Sequence, residues 1–106
     1  MNKPYVAHEE ATIESFRKDP DYAADYLNSV LEDGDQEELM LALRRVAAAF
    51  GMKDVAETAN LNPKTLYRTL SSAGNPELRS FQAILGAMGM RLAITSLARR
   101  QQQQQR

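Results

Sequence analysis

A chain of 106 residues, 43% hydrophobic and 25% charged, has room for one ordinary globular domain and excludes disordered, collagenous and two-domain readings. Zero cysteines exclude a disulfide scaffold, a thiol nucleophile and thiolate metal sites, and they fit a reducing compartment, so a cytoplasmic protein is expected. The net charge of −1 conceals a segregation: residues 1–40 hold three basic and eleven acidic side chains, a net of −8, while residues 41–106 hold ten basic and three acidic ones, a net of +7.

Residues 1–18 mix single apolar side chains (Tyr5, Val6, Ile13, Phe16) with charges and show no clean period, so they read as a flexible acidic arm. The folded domain is expected over 19–98. Asp19-Pro20 is an N-cap followed by proline at the first helical position, with Asp21 complementing the helix dipole. The helix they open runs to about Leu31. Its apolar stripe is Tyr22, Tyr26, Leu27, Val30 and Leu31, and Gly34 is its left-handed stop. Asp35 caps a second helix to Phe50, with Leu39, Leu43, Val46 and Phe50 as the buried seam and Glu37, Glu38, Arg44 and Arg45 facing out.

Gly51 ends that helix, and a short one over Lys53 to Ala59 leads into the turn Asn60-Leu61-Asn62-Pro63. The next helix spans Pro63 to Leu70. After the loop Ser71 to Gly74, Asn75-Pro76 repeats the cap-and-proline signal for a helix whose Leu78, Phe81, Leu85 and Met88 share a face, and Gly89 stops it. Met90, Leu92 and Ile94 alternate with Arg91, Ala93 and Thr95, which fits either a short strand or an extension of the last helix. Residues 99–106, with Arg99, Arg100 and a glutamine run, read as a disordered tail. The fold class expected is all-α, a small helical bundle.

Several functions are disfavoured at this level. The longest uncharged stretch, Ser80 to Met90, falls well short of the roughly 18 residues a membrane span needs. The start, MNKPYVAHEE, lacks the apolar core of a secretory signal. One histidine, His8, and no cysteine cannot supply a nucleophile, base and orienter, so an enzyme is not expected. Asp33-Gly34-Asp35 is too short for a calcium loop, and neither a metal nor a cofactor is expected.

The informative segment is Met52 to Ser71. Val55, Ala56, Ala59, Leu61, Leu66 and Leu70 are small or apolar wherever a steeply crossing helix pair must be filled, and Asn60 occupies a turn position that needs a left-handed backbone. That is the pattern of a helix-turn-helix, whose second helix enters the major groove of DNA. On the second helix, Lys64 and Arg68 can donate to the O6 and N7 edge of guanine, and Thr65 can bond a base or touch a thymine methyl. Asn62 can bond a base or phosphate, and Tyr67 can bond a phosphate or line the groove wall. Lys53, and the Asn75 helix start with Arg79, are candidates for phosphate contacts.

With Ala56, Asn60 and Leu66 in step, the segment resembles the Cro/repressor-type (Xre-like) helix-turn-helix, although that family usually has glycine where Asn60 stands. The runs DPDYAADYLNSVLEDGD and VAETANLNPKTLYRTLSSAGNPELRSFQAILGAMGMRLAI, covering about Ser15 to Leu97, further resemble the HigA-type antidote proteins of addiction modules. The resemblance implies a homodimeric antitoxin that represses its own operon from a pseudo-palindromic operator and neutralises a basic RelE/ParE-like toxin. On this reading Asp21, Asp25, Glu32, Glu37 and Glu38 of the acidic half face the toxin. The apolar segment Met90 to Leu97 is the candidate dimer contact. A plain transcriptional regulator without a toxin, and a helical adaptor that binds only protein, remain alternatives.

Overall fold

The computed structural model describes residues 13–98, and these form helices joined by tight turns, with no strand among them. The helices are α1 (residues 13–18), α2 (Pro20–Asp33), α3 (Gln36–Phe50), α4 (Met52–Thr58), α5 (Pro63–Thr69) and α6 (Leu78–Ala87). The all-α expectation holds. The alternating segment after Gly89 is not a strand: residues 90–96 have no regular structure, because no neighbouring strand is present to take up their backbone N–H and C=O groups.

The fold begins before Asp19. Phe16, expected in a flexible arm, is fully buried, its ring stacked on Tyr26 at 4.8 Å between centroids and tilted against Tyr22 at 5.4 Å. Arg17 Nε donates to the Ala49 carbonyl at 3.0 Å and ties α1 to the end of α3. The residues before 13, His8 among them, and those after 98 lie outside the described part.

Local hydrogen bonding explains the starts of α2, α3 and α5. The Asp19 carboxylate accepts from Tyr22 N, with Pro20 opening α2. Asp35 and Glu38 form a reciprocal capping box at the start of α3: Glu38 N donates to Asp35 Oδ1 at 2.8 Å, and Asp35 N donates to Glu38 Oε1 at 2.9 Å. Asn62 Oδ1 accepts from Lys64 N at 2.8 Å, with Pro63 as the first residue of α5. Gly51 ends α3 at φ 100°, in the left-handed region. Gly34 differs from expectation, since its φ is −89°. A side chain is excluded there by close approach instead, because a Cβ would stand 2.9 Å from the Val30 carbonyl oxygen.

Helix α4 lies at the centre, packed against α3, α5 and α6, while α2 covers α3. Val55 and Ala56 of α4, Leu66 and Leu70 of the α5 segment, and Ile84, Leu85 and Met88 of the α6 segment are buried together with Met40, Leu43, Val46 and Ala47 of α3. Two faces turn differently from the expected stripes. On α2, Ala23 and Leu27 are buried while Tyr22 and Leu31 are half exposed. On α6, which begins at Leu78 after Glu77 rather than at Pro76, Leu78 is 63% exposed, while Ile84, one turn from Met88, joins Leu85 and Met88 in the interior. The preceding loop is anchored from afar: Gln36 Nε2 donates to the Gly74 carbonyl at 3.0 Å.

Candidate functional site

The pair α4–α5 is built around one small residue and one unusual backbone angle. Ala56 has no exposed surface, and its carbonyl accepts from Leu61 N at 2.8 Å, closing the turn directly on the end of α4. Asn60 stands at φ 62°, the left-handed conformation the turn requires and asparagine tolerates. Leu66 is then carried inward and locks α5 against α4.

The outward side of α5 holds Lys64, Tyr67 and Arg68, all exposed, with Thr65 half-buried beside them. Lys64 and Arg68 are one turn apart, about 6 Å along the helix axis. Asn62 caps the helix with its side-chain oxygen, leaving its amide nitrogen as the donor it can offer elsewhere. Tyr67 is held by a contact not anticipated from the sequence: the Arg44 guanidinium of α3 lies 5.2 Å from its ring centroid. Arg44 is thereby a third cation at the edge of α5, beside Lys64 and Arg68. Its signal in the sequence is only its outward register on α3.

Lys53 is exposed in the first turn of α4 and Arg79 in the first turn of α6. Asn75 does not cap a helix. It is exposed in the connection of residues 74–77, which is extended or irregular rather than helical, so the backbone N–H groups of the α6 start lie beyond it, after Glu77.

The acidic set divides in two. Asp21, Asp25 and Glu32 are exposed on α2 at spacings of four and seven, which places them along one stripe of that helix. Glu37 and Glu38 stand at the start of α3, where Glu38 is occupied by the capping box and is a structural residue as well as a charge. Beside them an open cleft of about 500 Å³ is lined by Glu37, Glu38, Leu41, Arg44, Leu70 and Ser72. Leu41, half exposed in that cleft, escaped the sequence reading because it lies off the buried seam of α3.

Among the described residues no group of three or more histidine, aspartate or glutamate side chains is placed to hold a metal, and no helix is long and apolar enough to cross a membrane. No solved structure matches the chain. A curated relative, an uncharacterized protein of Haemophilus influenzae, is 29% identical over 69 residues, which is 65% of this chain and 71% of the relative. The family model described as "probable addiction module antidote protein" matches residues 9–96, a span that takes in α1 to α6. The chain therefore belongs to the addiction module antidote family, whose members stand opposite a cognate toxin.

Proposed function

We propose that this protein is a HigA-like antitoxin that binds DNA through an Xre-like helix-turn-helix formed by α4 and α5, represses its own operon, and neutralises a basic toxin of the RelE/ParE kind. The observation that carries the DNA reading is the left-handed Asn60 turn beneath a short helix whose exposed side is Lys64, Tyr67 and Arg68. With α5 in the major groove, Lys64 and Arg68 reach base edges about two steps apart, and each forms charge-assisted hydrogen bonds with guanine O6 and N7. Thr65, being half-buried, contributes its methyl or hydroxyl at short range only. Lys53, Arg79 and Asn75 serve phosphates, which orient the domain without specifying sequence. Arg44, steadied on Tyr67, adds a cation at the groove edge.

A single α5 covers one half-site. Two copies with their α5 helices about 34 Å apart read successive grooves on one face, so the operator is pseudo-palindromic and the working unit a homodimer.

The acidic surface supports the toxin side of the reading. Helix α2 keeps Glu32 and Asp33 in its last turn, where the helix dipole disfavours negative charge, and carries no basic residue there. With Asp21 and Asp25 this leaves α2 an acidic surface suited to a basic partner. At the start of α3, Glu37 and the half-exposed Leu41 line one cleft, a combination suited to a basic side chain next to an apolar one.

Fluorescence anisotropy against DNA from upstream of the gene, beside a scrambled duplex at low and near-physiological salt, tests the DNA half. Preference for the upstream duplex that survives the higher salt is expected. Equal binding to both duplexes, or none, reduces α5 to a packing element. For the toxin half, Glu37→Lys is expected to weaken capture of the neighbouring gene's product while leaving the helical content unchanged, and undiminished capture moves the toxin site away from α3.

A further inference from the structure

Helix α5 rests on α4, and the chain just past its end, Leu70 to Ser72, borders an open cleft of about 500 Å³ whose other wall is α3. Arg44 stands on that wall, with its guanidinium 5.2 Å from the centroid of the Tyr67 ring. Among the described residues the Tyr67 side chain has no hydrogen bond and no other ring partner, and Arg44 forms no ion pair. The carboxylates of the same cleft are placed otherwise. Glu38 is held by the capping box, and Glu37 precedes Arg44 by seven residues, about 10 Å along the axis of α3. Both members of the pair are exposed, so burial does not fix the direction of the Tyr67 ring, and the cation from α3 does. Lys64 precedes Tyr67 by three residues, which makes it the ring's neighbour on the surface of α5 and a second cation within its reach.

We propose that Arg44 is a positioning residue for the base-reading face of α5: by drawing the Tyr67 ring toward α3 it keeps the ring off Lys64 and leaves Lys64 and Arg68 extended toward the bases. The inference rests on the DNA reading of α5 and adds to it a residue outside the α4–α5 pair that governs base preference. Two cations compete for one ring. The Arg44 guanidinium wins because it is planar and weakly hydrated and stacks on an aromatic face, whereas the Lys64 ammonium stays strongly hydrated. When Arg44 is removed, the ring turns along α5 to Lys64 and holds its ammonium away from guanine O6 and N7. Base preference then falls although no residue of α5 has changed. This role is separate from the charge of Arg44, which acts on every sequence alike.

Fluorescence anisotropy on the full chain, with the upstream and scrambled duplexes over a salt series, tests it. Arg44→Ala is expected to lower the ratio of upstream to scrambled affinity about three- to fivefold, with an unchanged thermal melt. Arg44→Lys restores the charge without the flat stack, so it is expected to keep the salt slope of the unsubstituted protein while recovering only part of the ratio. A double-mutant cycle supplies the decisive arm. With Tyr67→Phe, which keeps the ring, Arg44→Ala should still lower the ratio, and with Tyr67→Ala it should leave the ratio where Tyr67→Ala alone puts it. An Arg44→Ala protein that loses affinity equally for both duplexes overturns the proposal, since Arg44 is then a phosphate contact only. An unchanged ratio overturns it as well, and so does a loss of the same size with and without the ring. If the unsubstituted protein itself prefers neither duplex, the DNA reading fails and the positioning role falls with it, whereas a preference indifferent to Arg44 leaves that reading intact and removes this inference alone.

Discussion

The α4–α5 pair and the α1–α2 layer are held together by opposite means. In the pair, four residues of turn, one left-handed asparagine and an alanine without exposed surface bring two seven-residue helices into contact, and the parts lie close together in sequence. In the layer, α1 is held by Phe16 packed against tyrosines of α2, by Ile13 against the core, and by a hydrogen bond from Arg17 to the far end of α3. A unit made by local rules presents the same face in any surroundings, which suits side chains that must meet fixed positions on a partner. A layer centred on one fully buried ring depends most on that ring.

Substitutions can break this contrast. Phe16→Ala is expected to have the largest effect, about 3–5 kcal/mol, through lost burial and the cavity left on Tyr26. Urea denaturation measures it, and a loss well under 1 kcal/mol would show that α1 merely lies on a domain complete without it. Ala56→Leu is expected to cost about 1–3 kcal/mol by wedging α4 from its neighbours. Its discriminating feature is that DNA preference should fall together with stability, because the orientation of α5 depends on that contact.

On the face of the pair the effects are on binding. Arg68→Ala is expected to lose about 1–3 kcal/mol at the preferred site and relax base preference, whereas Lys53→Ala should weaken all sequences alike and flatten the salt slope by about one. Identical behaviour of the two variants on specific and random DNA would mean that α5 does not face the bases. The smallest effect sharpens the reading of the acidic half. Glu38→Gln keeps a side-chain acceptor for the Asp35 N–H and should change stability by no more than about 0.5 kcal/mol, while Glu38→Ala removes half of the capping box and should cost about 1 kcal/mol. Thermal melts of the two proteins separate the charge of Glu38 from its hydrogen bond.

Where the sequence was legible, the governing contact spans four residues or fewer. The Asp19-Pro20, Asp35 and Asn62-Pro63 helix starts, and the left-handed Asn60, stand where their local chemistry places them. Asn75-Pro76 uses the same grammar and yields no cap, since Gly74 is tied to Gln36 across 38 residues of chain and residues 74–77 carry the chain to Glu77 before α6 starts. Leu78 is thereby the first residue of α6 and is largely exposed. Phe16 was obscured by its charged neighbours, whose polarity masks one buried ring in any local average. For the candidate site, Lys64, Thr65, Tyr67 and Arg68 were identifiable as one helix face, but Arg44 joins them only through the packing of α3 on the tyrosine ring.

By itself the sequence determined the starts of α2, α3 and α5, the tight turn of the α4–α5 pair and the segregation of charge, all of which follow from hydrogen bonds and side-chain chemistry within a few residues. Tertiary structure alone decided that α1 belongs to the core, that the acidic residues split between the α2 stripe and the start of α3, and that Arg44 of α3 meets the Tyr67 ring of α5. Each of those outcomes depends on surfaces distant in the chain meeting at close range, and no local pattern encodes the distance between them.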